Sequence, residues 1–347
     1  MLSIGLSIPA LATHPSGAGW WKSAQHFLDG VAPGFFIDAL NKRYSISNHA
    51  ATIGDLLMVT NASTIRTYID KSGVLQTAPA NTPRIDWASS VPELLLEGAS
   101  TNLLLGSATL ATQSVATTAQ SYTLSFWGTG TVTLSGSYSG SLAGTGAATR
   151  VTKTFTATVG TLALTVSGSV AYAQLEAATG PTSYIPTTSS AVTRTADLCQ
   201  LATAAAAVLQ GAGGAVAWRG KVPAVLTGGT PHILGGSVGA LLRPQSAGTM
   251  LTATFNNAAA GLALSDVVIP GEFAAVIGWG ASGRRLALHT GSSGSDANAW
   301  TAPSGVFVGP STGLVANQAL RLRQLVGWTL SDRPSSAGTQ AQARLAA

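Results

Sequence analysis

Short runs in which polar and apolar side chains alternate, broken by Gly- and Ser-rich stretches, set the tightest limit on what this chain can fold into. Tyr122-Thr123-Leu124-Ser125-Phe126-Trp127, Thr131-Val132-Thr133-Leu134, Val151 to Val159 and Thr161 to Val166 all carry the pattern. A period of two sends one set of side chains to a buried face and the other to solvent, which is what half-buried strands require. Helices of similar length would need a period near 3.6 and more Glu and Lys than a chain with 9% charged residues and 40 glycines supplies. Upstream, Thr67-Tyr68-Ile69 and Val74-Leu75-Gln76 flank Asp70-Lys71-Ser72-Gly73, a hairpin with Gly73 at the position wanting positive φ. The expected fold class is all-β.

The 347 residues divide by character into three spans. Residues 1–55 hold Trp20, Trp21, Phe27, Phe35 and Phe36 between Gly and Pro without a clear period, so this span is expected to be irregular and partly helical. Its aromatics either dock another protein or a sister chain, or cap the neighbouring domain. Residues 56–200 carry the alternating strands and should form one antiparallel β-sandwich. Residues 201–347 repeat the theme. Gly214 to Gly220, Phe273 to Trp279, Val306-Phe307-Val308 and Leu320 to Trp328 read as strands, and Gly280 to Gly283 as a glycine-rich hairpin turn.

Family resemblance rests on particular segments. Leu94-Leu95-Leu96-Glu97-Gly98-Ala99-Ser100-Thr101-Asn102-Leu103-Leu104-Leu105 is answered by Ala173-Gln174-Leu175-Glu176 and Pro181-Thr182-Ser183-Tyr184-Ile185-Pro186-Thr187-Thr188. With Val59 to Thr64, Asp70 to Ala78 and Ala80 to Asp86, these resemble the brackets of a β-sandwich module of bacteriophage tail and head fibre (spike) proteins. Arg is usual in that pattern where Asn61 and Ser100 stand, so any salt bridges those arginines make elsewhere are missing here. For residues 56–200 the resemblance implies a jelly roll like those of carbohydrate-binding modules. The strands of residues 201–347, ending in Gly327-Trp328, resemble a concanavalin-like sandwich of the laminin-G type, in which a short helix follows. Ser331-Asp332 stands at that helix start, but Arg333-Pro334 follows, which shortens or displaces it.

The resemblance implies a virion fibre or spike subunit, made in the bacterial cytoplasm and carried on the surface of a phage-like particle. It would attach to other virion proteins through residues 1–55, assemble as a homotrimer and bind host-surface polysaccharide. The competing readings are a structural connector that binds no sugar and a capsule depolymerase.

Several classes are disfavoured by composition. The net charge is +5, yet Lys42-Arg43 and Arg284-Arg285 are the only adjacent basic pairs, so the basic stripe of a nucleic-acid binder is missing. A lone cysteine, Cys199, cannot form an internal disulfide and reads as a buried thiol. No stretch reaches the roughly 20 apolar residues of a membrane span, and Met1 to Ala12 lacks the basic leader of an export signal, so it reads as a buried or docking segment.

Catalytic constellations are equally scarce. Glycan hydrolysis needs two carboxylates about 5–10 Å apart, whereas Asp266, Glu272, Asp296 and Asp332 are well spread. Glu93 and Glu97 share a strand face but would lie about 13 Å apart. His14, His26, His49, His232 and His289 sit in unrelated contexts, with no nucleophile elbow and no metal-ligand spacing. No enzyme activity, metal or cofactor is therefore expected, although a calcium held by loop carbonyls plus Asp296 would leave no sequence trace.

Sugar binding leaves a softer signature, an aromatic platform with polar edges. The first candidate is Trp300 in the loop from Ser292, with Asp296, Asn298 and His289 near it in sequence. Trp300 could equally fold back over the sandwich edge. Trp127 and Tyr138 are second candidates, with a core role as the alternative, while Trp218, Trp279 and Trp328 lie within strand patterns and read as core.

Overall fold

The computed structural model describes residues 26–222, 232–236, 240–244, 251–253, 262–264, 271–298, 305–309 and 319–346. Among them regular structure is dominated by antiparallel strands, and the helices are Ile53–Leu56, Thr203–Val208 and Ala337–Ala346. The all-β expectation holds. Trp20, Trp21, His14, Asp266, Trp300 and the apolar start of the chain lie outside the described residues.

The larger of two sandwiches is built around strand Ala319–Thr329. On one side it pairs with Gly214–Val222, which continues to Gly271–Gly280, Gly283–Leu288 and Ser293–Asp296. On the other it pairs with Phe35–Asp38, followed by Arg43–Ile46 and His49–Ala50, while Glu93–Glu97 and Arg84–Asp86 join its first residues. A second sheet runs through Leu57–Thr60, Leu198–Leu201, Val306–Val308 and Leu234–Gly236. Phe35, Trp218, Ile277 and Leu325 of the first sheet share one core with Val59, Cys199, Leu234 and Val308 of the second.

The first sheet is covered on its other face too. Ala217, Val276, Val326 and Trp328 pack against Ala337 and Ala341 of the C-terminal helix. Strands buried on both faces lose the period-two signal and run apolar throughout. Phe35-Phe36-Ile37-Asp38 is buried at every position, which explains why this stretch reads as irregular in sequence yet is a strand in the fold.

Strand pairing also groups the chain differently from the consecutive spans 1–55, 56–200 and 201–347. Leu57–Thr60 pairs with Leu198–Leu201 in the sheet of Val306–Val308, and Phe35–Asp38 pairs with Ala319–Thr329. The larger sandwich therefore draws on both ends of the chain, and the jelly-roll-like sandwich, from about residue 100 to 194, is inserted into it. Its entry and exit strands, Ser100–Asn102 and Val192–Arg194, pair with each other. Alternation marks a strand's faces but not its remote partner, so a boundary at 200 falls inside the strand Leu198–Leu201 and one at 55 parts elements of the same sandwich.

In the inserted sandwich, a sheet of Gln113–Thr117, Gly160–Ser167, Thr131–Gly136 and Gly140–Ala143 packs on one of Gly146–Ala157, Gln120–Gly128 and Val170–Glu176. Tyr122, Leu124, Phe126, Val132, Leu134, Leu162 and Leu164 enter its core, as their spacing requires. Thr123 and Ser125, on the opposite face, are buried as well. The Thr123 hydroxyl donates to the Ala178 carbonyl and Arg150 donates to Ser125 Oγ, so later chain covers a face that the alternation assigns to solvent.

Candidate ligand pocket at the junction of the sandwiches

The bracket segments meet where the two sandwiches join, around a cluster of buried charge. Asp197 accepts from Arg66 Nε at 3.0 Å and from Arg84 Nη2 at 2.6 Å. Glu97 pairs with Arg84 at 2.9 Å and Arg194 at 3.1 Å, and also accepts from the Ser183 amide and hydroxyl, each at 2.6 Å. Glu176 accepts from the Thr182 amide at 2.9 Å and from the hydroxyls of Thr182 and Ser100. Where the fibre pattern would carry arginines, Asn61 Nδ2 donates to Asp197 at 2.8 Å and Ser100 donates to Glu176. The ion pairs are instead made by Arg66, Arg84 and Arg194.

Burial by itself would raise the Glu97 carboxyl. Arg194, Arg84 and the Ser183 hydrogen bonds outweigh it and hold Glu97 at about 2. Buried charges of this kind cost several kcal/mol each unless fully partnered, so the cluster locks segment 181–187 in one geometry. Gln174 and Asn102 complete the lock, the first accepting from the Ile185 amide and the second donating to the Ile185 carbonyl. A second set of pairs continues into the larger sheet: Arg321 with Asp86 at 2.6 Å, Arg323 with Glu93 at 2.6 Å and Arg219 with Glu272 at 3.1 Å.

On this rigid base lies a pocket of about 440 Å³, lined by both sandwiches and by the hairpin Arg66–Ile69/Leu75–Ala78. Asp86, Leu95, Glu97 and Arg321 come from the larger sandwich, and Trp127, Arg150 and Thr152 from the inserted one. Tyr68, Trp87, Ser183 and Tyr184 complete its wall. Trp87 and Trp127 are both half-buried. The Arg150 guanidinium lies 4.8 Å from the Trp127 ring centroid and donates to the Thr182 carbonyl at 2.6 Å and to Ser125 Oγ at 2.8 Å. Burial pushes the Arg150 guanidinium down, partly offset by Glu176, Glu97 and Asp86.

Aromatic surface continues beyond the pocket. Tyr172 meets Trp127 edge-on at 6.1 Å and Tyr184 at 5.4 Å, and is 43% exposed. Its φ of 49° is left-handed, a conformation that a bulky residue adopts only when its surroundings impose it. The cause is a register shift where Gln120–Gly128 pairs with Val170–Glu176. The bulge falls at Tyr172, whose ring lies outside the core that holds Val170, Ala173 and Leu175.

The residues nominated from sequence fall in different places. Trp127 lines the pocket. Tyr138 stacks on Phe155 at 4.3 Å and packs on the inserted core. Asp296 is held by Arg284, whose Nε donates at 2.9 Å, and accepts from the Asn298 amide at 3.1 Å; the Arg284 hydrogen bond holds its carboxyl below the usual range. His289 Nδ1 accepts from the Ala274 amide at 3.3 Å. Asp296, Asn298 and His289 thus belong to the strands Gly283–Leu288 and Ser293–Asp296 and their turns, away from the junction lining, and Trp300 lies outside the described residues. Trp218, Trp279 and Trp328 are buried as expected. Trp87, Arg150 and Tyr172 are not legible in sequence, because each acquires its position from a remote partner.

Fold and site together define an all-β protein with two sandwiches and an aromatic-lined pocket at their junction. No family model matches the sequence, and no curated protein matches it. Solved structures similar to parts of the chain include a Trypanosoma rangeli sialidase, at 13% identity over 38% of this chain and 22% of that one, with a TM-score of 0.29. The botulinum neurotoxin type G receptor-binding domain is similar at 9% identity over 42% of this chain and 39% of that one, with a TM-score of 0.29. The serotype D binding domain matches at 14% identity over 38% and 36%, with a TM-score of 0.28. The aligned parts span well under two thirds of those chains.

Proposed function

We propose that this chain is a non-catalytic adhesion subunit of a phage-like particle that binds surface polysaccharide in the junction pocket. The observation that carries the reading is the pairing of Trp87 and Trp127 in one pocket whose polar wall is fixed by buried ion pairs. Pyranose rings offer apolar faces to indoles and hydroxyls to fixed donors and acceptors, and here both kinds of partner stand ready without reorganisation. The particle role rests on the bracket segments that resemble fibre modules; Glu97 and Ser183 of those segments line the pocket, and Glu176 holds the lining residue Thr182 from behind.

A hydrolase reading finds less support. The pocket carboxylates Asp86 and Glu97 are each engaged by arginine, and Glu97 is held at about 2, where it cannot deliver a proton near neutral pH. Attachment to other virion proteins falls to residues ahead of strand Phe35–Asp38, since that strand belongs to the large sheet. Trimerisation, virion-surface location and synthesis in the bacterial cytoplasm are part of the same proposal.

The test is affinity electrophoresis of the full chain against a panel of bacterial surface polysaccharides, with reducing-end release measured in parallel. Retarded migration by the wild type, lost in W127A and W87A, is expected, with no release of reducing ends. Retention unchanged in both variants would overturn the pocket, release would favour depolymerisation, and no retention on any polymer would leave the connector reading.

A further inference from the structure

The charge balance of the pocket narrows the class of sugar, on the reading that the pocket binds glycan. Behind the lining, carboxylates and arginines answer one another: Asp197 and Glu176 lie with Arg66, Arg84 and Arg194 around the lining residue Glu97, and Asp86 in the lining is closed by Arg321. Three further cations stand at the aromatic surfaces. Arg150 rests on Trp127 and lines the pocket, and it makes no ion pair among the described residues; its Nε is buried without a partner, while each Nη group donates one hydrogen bond, to Thr182 and to Ser125. The ammonium groups of Lys42 and Lys71 each lie 5.9 Å from the Trp87 ring centroid, at the pocket's margin and not in its lining. Both lysines are exposed, and neither has an ion-pair partner among the described residues. Asp70, next to Lys71, spends its carboxylate on the turn, accepting from the amides of Ser72 and Val74 and from Gln76.

We infer that the pocket is selective for a carboxylate-bearing polysaccharide, whose ring stacks on a tryptophan while its carboxylate meets Arg150 or the Lys42/Lys71 pair. A neutral sugar would gain the stacking but bring no charge to the exposed lysines, and would leave Arg150 only its more distant carboxylates Glu176, Glu97 and Asp86. An acidic sugar gains both, because guanidinium and ammonium held against an indole keep donors free for a carboxylate.

The experiment compares retention of the full chain by polygalacturonate, alginate and hyaluronate with retention by the carboxyl-reduced form of each. At least one acidic polymer is expected to bind about tenfold or more tighter than its reduced counterpart, and to weaken as salt rises through roughly 0.5 M, where screening cuts off exposed charges. K42Q/K71Q, on the surface, and R150Q are each expected to cost roughly fivefold or more in affinity for that polymer. W127A should lose binding to both forms. Equal binding of acidic and reduced polymers, with loss in W127A, would overturn the acidic selectivity and leave the glycan pocket intact. Unchanged affinity in both cation variants would overturn it too, as would acid-polymer binding that W127A leaves untouched. Absence of any retention would overturn both the selectivity and the adhesion role.

Discussion

Glu97 joins the two sandwiches at the level of single atoms, since it sits on a strand of the larger one and holds Ser183 and Arg194 of the inserted one. Removing its charge leaves Arg194 buried without a counter-ion and Arg84 with Asp197 alone. E97Q is therefore expected to cost about 3–5 kcal/mol in urea unfolding, and a loss under 1 kcal/mol would contradict the account. Acid should act on the same group. A carboxyl held at about 2 against an ordinary 4.5 contributes stability that is complete above 4.5 and drains away as pH falls towards 2. His26 acts earlier: burial, with Arg344 and Arg43 nearby, keeps it neutral down to about 3, so its contribution begins to fall as pH drops below 6.5. Unfolding followed from pH 8 to 2 is expected to show a gradual decline followed by a steep one, and the steep limb should be shallower in E97Q, with the rest carried by carboxyls such as Asp29 and Asp296 that are also held low. Among site residues, Trp127 could be nominated from its alternating strand, but Trp87, in Arg84-Ile85-Asp86-Trp87, could not. Nothing local marks an indole that a remote sandwich will turn into a pocket wall.

The C-terminal helix shows how an element can be legible in kind and illegible in place. Ser331-Asp332 carries an N-cap signal, yet Asp332 accepts from the Ser282 and Arg333 amides and the helix begins at Ala337. The segment just ahead of the helix is tied to a remote part of the chain: Asp29 accepts from the amides of Ser335 and Ser336 at 2.6 Å and 2.9 Å. Its slight burial would raise the carboxyl, but the serine hydrogen bonds prevail and hold it below the ordinary range. D29A is expected to lower stability by about 0.5–1.5 kcal/mol, the usual net worth of a hydrogen bond, measured by thermal unfolding followed by near-ultraviolet circular dichroism. The strand Phe35–Asp38 has its own fixed geometry, because Phe35 lies opposite Gly327 and a Cβ there would come within 2.2 Å of the ring. G327A should destabilise by roughly 1–3 kcal/mol through overpacking. Hairpins such as Asp70 to Gly73 were readable because their turn chemistry is local; the doubly buried strands were not, because burial on both faces erases alternation.

At the scale of the whole molecule, an inserted sandwich leaves both ends of the chain responsible for one sheet. Residues 26–60 supply strands in the interior of the larger sandwich, with Phe35, Ile37, Leu57 and Val59 in its core. Their deletion is expected to abolish cooperative unfolding altogether, whereas a detachable attachment segment would leave the remainder folded, with its near-ultraviolet circular dichroism unchanged. The same architecture places the pocket where the sandwiches meet, so a ligand seated there touches both. The most direct measurement is a crystal structure of the full chain soaked with an oligosaccharide cut from a polymer that it retains. Sugar density against Trp87 and Trp127, with the ring on an indole and polar contacts to the junction wall, is the result expected. Sugar bound instead at the Asp296–Asn298 turn, with the junction occupied by water, would contradict the account.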